Sequence, residues 1–444
     1  MRKIRWATLV VTVAIVTAGF STVASAQGGS EKPQATEIGV TDKEVRIAVV
    51  ADVENQFAPG IFQGSVNGVK GWAKFVNANG GLAGRKVVID FLDSKLSADD
   101  SRNAVIKACA EDFALVGTSA VFLNNVDDIE ACADQAGAAT GIPDITVVAT
   151  EVAQQCSPTT YAVNAPQIIC STKDQHPQTY QGNAGRAFYY QKKFGRLLHG
   201  GYILSGDLKS AENSNRASMT QMQHAGAGIK QDFELLLSAR SPQSAYAPIV
   251  QQLKDSSSNY AQSGGVAATT VLLRKEAKIE GLNDPNFIWD CTLQCYDRKL
   301  IEQGGADVEG QYVSTLFLPF EEAKFNTSLS NYLKYTGKDK ADGFGIQAYA
   351  SGLLVSQAIE QIVKADGVNG VTRKALFDQL ETINDFDAGG MIGTTNIADR
   401  QTSECYVLTQ VKNGKFVRVT PTKKGTFDCK PRNRIEIKLD LIQD

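Results

Sequence analysis

Reactive side chains are scarce in this chain of 444 residues. It holds three histidines, His176, His199 and His224. None stands in an H-E-x-x-H pair, and the chain has no G-x-S-x-G elbow and no P-loop. A lone histidine is usually a surface or packing residue, so a secreted hydrolase is the weaker reading. No catalytic residue and no cofactor is expected. The eight cysteines, Cys109, Cys132, Cys156, Cys170, Cys291, Cys295, Cys405 and Cys429, could bind zinc or pair as disulfides. Cys291-x-x-x-Cys295 would be half a zinc site, but no second close pair or histidine cluster completes it. Disulfides are the expectation for an even number in an exported chain. Eight cysteines allow 105 pairings. The simplest scheme joins sequence neighbours: 109–132, 156–170, 291–295 and 405–429. The acidic run "SADD" could in principle hold a metal. It reads better as a helix start, with Ser97 as N-cap and Asp100 three residues on, where a carboxylate reaches a free amide.

Export is inferred from the first residues. "MRKIRWATLVVTVAIVTAGFSTVASAQ" has a basic start, an apolar run and small residues up to Ala26. This layout is that of a cleaved signal peptide over 1–26; the alternative is an uncleaved anchor, for which the apolar run is short. No cysteine lies near the cleavage site, so a lipid anchor is not expected. Residues 27–43, rich in Gly, Ser, Pro and acid, read as a disordered lead-in. Losing Arg2, Lys3 and Arg5 takes the net charge from -3 to -6. Such a chain is poorly suited to nucleic acid or anionic lipid through bulk charge. The expected location is the periplasm or cell-envelope space.

The elements that would position any site alternate. "EVRIAVV" is apolar on both faces, as a parallel strand covered by helices must be. Val66, Val69, Trp72, Ala73 and Val76 recur at helical spacing. "NANGG" stops that helix, and "RKVVIDFLD" is the next strand. The series continues with strand "FALVG", a helix near Val126–Ala136 and strand "ITVVAT". A second run begins near Tyr180, with helices near Ala184–Phe194, Ala211–Ala225, Tyr246–Lys254 and Ala267–Ile279. Its strands are "GGYILSG", "FELLLS", a short one near Ala261, and "FIWD". Two β-α-β runs predict two doubly wound, Rossmann-like α/β lobes. Later come a long helix at "FGIQAYASGLLVSQAIEQIVKADG" and a hairpin turning at Asn413-Gly414.

The order resembles the type I periplasmic solute-binding proteins of ABC transporters, in the branched-chain amino-acid receptor group. The resemblance rests on "VRIAVVADVENQFAPG", "FVNANGGLAGRKVVIDFLD", "FALVGTSAV" and "FGIQAYASGLLVSQAIEQ", and spans about 45–420. It implies two lobes joined by three hinge strands, near Ala162–Gln167, Ser314–Leu318 and Ile392–Asn396. Lobe one would comprise 44–165 plus 316–393, and lobe two 166–315 plus 394–444. It also implies that Cys109–Cys132 joins neighbouring helices of the first lobe.

The implied function is capture of a small organic ligand (an amino acid, amide or small carboxylic acid) and its delivery to ABC-transporter permease subunits. The alternative is a sensing module for a membrane signalling protein. A monomer is expected. Implied ligand contacts are Gln56 and Phe57, Ser119 and Ala120, and Ala149 and Thr150. Packing is the alternative for Phe57, and local turn bonding for Ser119 and Thr150. In the second lobe Asp207 and Tyr296 are the candidates. The family's two tyrosines and acid there have no clear counterparts in "DLKSAEN", "GGVAATT" and "CTLQCYD". Asp290 and Asp297 are the nearest acids. A buried α-ammonium needs such partners, so ligands other than simple aliphatic amino acids fit at least as well.

Overall fold

The computed structural model describes residues 31–440, except 57–58, 165–166 and 239. The signal-peptide expectation and Phe57 lie outside the described residues.

The first half opens with β1 (Glu44–Ala51), α1 (Gln63–Ala78), β2 (Lys86–Asp93), α2 (Ala98–Glu111) and β3 (Ala114–Ser119). It continues with α3 (Asp127–Glu130), β4 (Asp144–Val148), α4 (Val152–Cys156) and β5 (Thr160–Ala162). Its strands form one parallel sheet in the order β2-β1-β3-β4-β5. Strand β1 is an interior strand, between β2 and β3, and its Val45, Ile47, Ala48, Val49 and Val50 are fully buried. That is why both of its faces are apolar.

The second run comprises β6 (Gln178–Asn183), α5 (Gly185–Phe194), β7 (His199–Ser205), α6 (Lys209–His224), β8 (Lys230–Leu237), α7 (Ala247–Asp255), β9 (Tyr260–Ser263), α8 (Ala267–Ile279), β10 (Ile288–Cys291), α9 (Arg298–Gly304) and β11 (Tyr312–Thr315). After it come α10 (Thr327–Thr336), α11 (Gly343–Asp366), α12 (Arg373–Leu380), β12 (Cys405–Lys412), β13 (Lys415–Thr420), β14 (Asp428–Cys429) and β15 (Arg434–Leu439). The second sheet runs β8-β7-β9-β10-β11 in parallel, the same strand order as the first. The hairpin of β12 and β13 extends it antiparallel. Asn413 and Gly414, both at positive φ, make the hairpin turn. The chain thus passes between the sheets three times: after β5, after β11 and before β12.

Helix α11 returns to the first sheet and packs along α1, with Trp72 buried between them and bonded to Ser356. The approach is so close that a Cβ on Gly68 would collide with the Gly345 carbonyl. All eight cysteines pair, in the sequence-neighbour scheme.

Two local expectations are corrected. The helix expected over Val126–Ala136 is a single turn, Asp127–Glu130. Beyond it Asp134 accepts hydrogen bonds from the amides of Ala136 and Ala138, which favours a turn. The described part of the lead-in is also not loose. The Thr36 hydroxyl donates to the Val371 carbonyl, and Glu37 is buried, accepting from the amides of Gln135 and Arg373. Composition alone does not reveal such partners, which lie more than 300 residues along the chain for Val371 and Arg373.

Candidate functional site

In a parallel α/β sheet the loops at the carboxyl ends of the strands face a crevice. Here both sheets present those ends to one cleft of about 620 Å³. The first wall contributes Ile61 and Phe62 after β1, Leu96 after β2, Val121 and Phe122 after β3, and Val148–Thr150 at the end of β4. Phe344 and Gln347, from the first turns of α11, join it. The second wall contributes Ser205–Leu208 without Gly206, Ser263–Val266, Thr292–Gln294 and Tyr246. Asp207 is the one charged side chain in the lining, and it is exposed and accepts from the Ser238 hydroxyl. No Lys, Arg or His lines the cleft among the described residues.

The first wall is tied from below by one carboxylate. Asp52, directly after β1, is fully buried. Its Oδ1 accepts from the Ser94 hydroxyl and the Leu96 amide, both at 2.7 Å, and its Oδ2 from the Val121 amide at 2.8 Å. Three loops are so fixed to one side chain. Burial pushes the Asp52 carboxyl above its ordinary range, against the pull of those donors. Asp93 adds to the arrangement by accepting from the amides of Val53 and Glu54.

The second wall is fastened differently. The Cys291–Cys295 bridge closes the loop that carries Thr292, Leu293 and Gln294 to the cleft. Behind it, Asp290 is buried and accepts from Arg186 Nε at 2.8 Å, Tyr190 at 2.8 Å and Tyr260 at 2.7 Å. Asp297 caps α9, accepting from the Lys299 amide. Both acids are thereby engaged away from the cleft.

Of the residues expected as contacts, Ala149, Thr150 and Asp207 line the cleft. The Thr150 hydroxyl donates to the Val121 carbonyl, linking two loops of the first wall. Ser119 and Ala120 are fully buried beneath that wall, outside the lining, and the Ser119 hydroxyl is hydrogen-bonded to the Ser65 hydroxyl and to the Gly117 carbonyl. Gln56 is exposed and outside the lining. Tyr296 is buried, stacks on Phe416 at 4.4 Å and donates to Glu321. It lines a second cavity, of about 610 Å³, with Phe320 and Phe416. The 3-10 turn over Leu293–Cys295 carries the chain round, so the cleft receives the residues between the cysteines and not the tyrosine after them.

Sequence reasoning missed Asp52, Tyr246, Phe344 and Gln347. An acid ending an otherwise apolar strand was the available signal for Asp52. Phe344 and Gln347 stand at the start of a helix recognised only as buried.

The chain matches the family described as periplasmic binding protein over residues 44–415. No curated protein matches it. Among solved structures it is similar to a fatty acid ABC transporter substrate-binding protein from Thermomonospora curvata, at 15% identity and a TM-score of 0.67, over 91% of this chain and 96% of that one. It is similar to an extracellular ligand-binding receptor from Rhodopseudomonas palustris HaA2, at 14% identity and a TM-score of 0.64, over 85% and 100%. It is also similar to a leucine-binding protein from Thermotoga maritima, at 18% identity and a TM-score of 0.60, over 85% and 98%. With two doubly wound lobes facing one cleft, this chain belongs to the periplasmic binding protein family and is a solute-binding receptor of the extracytoplasmic space.

Proposed function

We propose that this receptor captures a predominantly apolar ligand between its lobes and presents it to an ABC-transporter permease. The lobes are taken as 44–165 plus 316–393 and 166–315 plus 394–444. The observation that carries the reading is the lining of the cleft. Phe62, Phe122, Val148, Leu208, Val266 and Phe344 face it, and its one charge lies exposed at the rim. Enclosing an unpaired ammonium or carboxylate there would cost several kcal/mol, whereas burying apolar surface contributes about 25 cal/mol per Å². Asp290, the acid nearest to a family-like ammonium partner, is already satisfied by Arg186, Tyr190 and Tyr260. The Thermomonospora curvata relative is named for fatty acids, whose hydrocarbon chains are apolar; the cleft itself carries the argument, since the likeness shows the fold alone. Closure over the ligand then strengthens each polar contact by excluding water.

A thermal-shift panel tests this. Eight- to twelve-carbon alcohols and amides should raise Tm, with about 4 kcal/mol of added stability at a thousandfold excess over Kd. Leucine, isoleucine and valine should not. A large shift with leucine or valine, and none with the acyl series, would refute the reading.

A further inference from the structure

Helix α6 turns a face of uncharged hydrogen-bonding groups to the cleft. It lines the cleft with Ala211, Ser214, Asn215, Ser218 and Met219. That spacing, i, i+3, i+4, i+7 and i+8, is a single helical face. The charges of the helix lie off that face and are spent on one another. Glu212 accepts from Lys209 and Arg216, and Arg216 also donates to Glu234 of β8. None of these four lines the cleft. Asn215 is half-buried and its orientation is set, because its Oδ1 accepts from the Ser205 amide at 2.9 Å. Turning its amide over would set two donors against each other. The same oxygen packs against Gly264, where an added Cβ would collide with it. With the oxygen so engaged, Nδ2 remains as a donor. Among the described residues no acceptor meets it, and it is not one of the unmatched atoms sealed inside the protein. The hydroxyls of half-buried Ser214 and Ser218, one turn apart, likewise have no partner among the described residues and are not sealed. Beside Gly264 stands Ser263, which lines the cleft and is 6% exposed. Its hydroxyl oxygen accepts from the Gly265 amide and the Thr270 hydroxyl, so its own proton is unspent.

Donors on one face of an otherwise apolar cleft call for an acceptor on the ligand. We infer that Asn215, flanked by the hydroxyls of Ser214, Ser218 and Ser263, recognises the polar end of the ligand, and that this end is an uncharged oxygen acceptor, such as the carbonyl of a ketone, amide or ester. The inference rests on the apolar reading of the cleft and narrows it. A carbonyl oxygen has two lone pairs and can take two of these donors at once. An ammonium group offers Asn215 Nδ2 no acceptor. A carboxylate would be enclosed with no cation in the lining, on the wall that already carries Asp207. A site built to bond a polar group rejects the analogue lacking it, because its own polar atom is then left without a partner once water is excluded.

The test compares 2-octanone with 1-chloroheptane, which has a chain of similar length and a far weaker acceptor, by isothermal titration calorimetry. Wild-type protein should bind 2-octanone about tenfold more tightly. Asn215→Asp keeps an oxygen for the Ser205 amide and replaces the free donor by a second acceptor. It should weaken 2-octanone about tenfold, leave 1-chloroheptane within about threefold and hold the ligand-free Tm. If Asn215 served only to position Ser205, the aspartate variant would bind 2-octanone as the wild type does. The double variant Ser214→Ala/Ser218→Ala removes no side-chain bond within the protein and should reduce the preference severalfold; it carries the test if Asn215→Asp does not fold. Equal binding of both probes by the wild type, or a preference undiminished in the folded variant, would overturn this inference and leave the apolar reading standing. Failure of both probes to bind would instead overturn the apolar reading, and this inference with it.

Discussion

The two walls of the cleft share a strand order and differ in how a buried carboxylate serves them. Asp52 stands just past the end of β1 and gathers the loops that face the cleft. Asp290 stands in β10 and turns away, closing a network with Arg186, Tyr190 and Tyr260 behind the wall. One carboxylate shapes the cleft; the other holds the lobe's core. Neither strand-end acid lines the cleft; each is taken up by donors of the protein itself. What it faces decides its role, and the second wall delegates loop shape to the Cys291–Cys295 bridge.

The largest expected effect breaks that comparison. Asp290→Ala leaves the Arg186 guanidinium buried without its counter-charge, which should cost about 3–5 kcal/mol. Asp52→Ala bares donors beside solvent-accessible loops and should cost less, on the order of 1–3 kcal/mol. Binding should reverse the order. Asp52→Ala should weaken ligand at least tenfold, because Leu96 and Val121 lose their anchor. The folded fraction of Asp290→Ala should bind within about threefold of wild type. Urea denaturation and calorimetry on both variants check this. Equal losses of stability together with equal losses of affinity would erase the distinction.

A smaller effect follows from pH. In the first half, burial, strengthened by the neighbouring Asp90, holds the Asp112 carboxyl at about 8. Burial also raises Asp144 to about 6. Asp342, the N-cap of α11, is likewise lifted to about 6, despite its bonds to the amides of Phe344 and Gly345. Each folded-state pKa lies above the unfolded value near 4. The folded protein therefore binds more protons than the unfolded chain from about pH 4 to 8, and its stability falls as pH rises through that window. Denaturation midpoints should decline from pH 5 to 8.5, and Asp112→Asn should flatten the fall above pH 6. A rise in stability over that range, or a slope untouched by Asp112→Asn, would contradict the assignment.

Much of this architecture was legible in the residues. The doubly apolar strand at Val45–Val50, the glycine stop after α1 and the Asn413-Gly414 turn each carry local physics strong enough to read directly. The loops that build both walls were legible too, because strands and helices alternate. Which side chain of each loop faces the cleft was not. Ser119 and Tyr296 have the right chemistry in the right loops, yet a strand end buries one and a bridged 3-10 turn takes the other to a second cavity. The role of Asp52 depends on which donors reach it from loops far along the chain, a property that no local pattern encodes.

The account's central claim is that the cleft, and not the second cavity beside Tyr296, holds the ligand. Hydrogen–deuterium exchange with and without a saturating amount of the tightest compound from the panel tests it most directly. The account predicts protection in both walls, at Leu96, Val121–Phe122 and Val148–Thr150 and at Ser205–Leu208, Ser263–Val266 and Thr292–Gln294. Protection confined to Phe320, Glu321 and the β12–β13 turn, with the cleft loops unchanged, would contradict it.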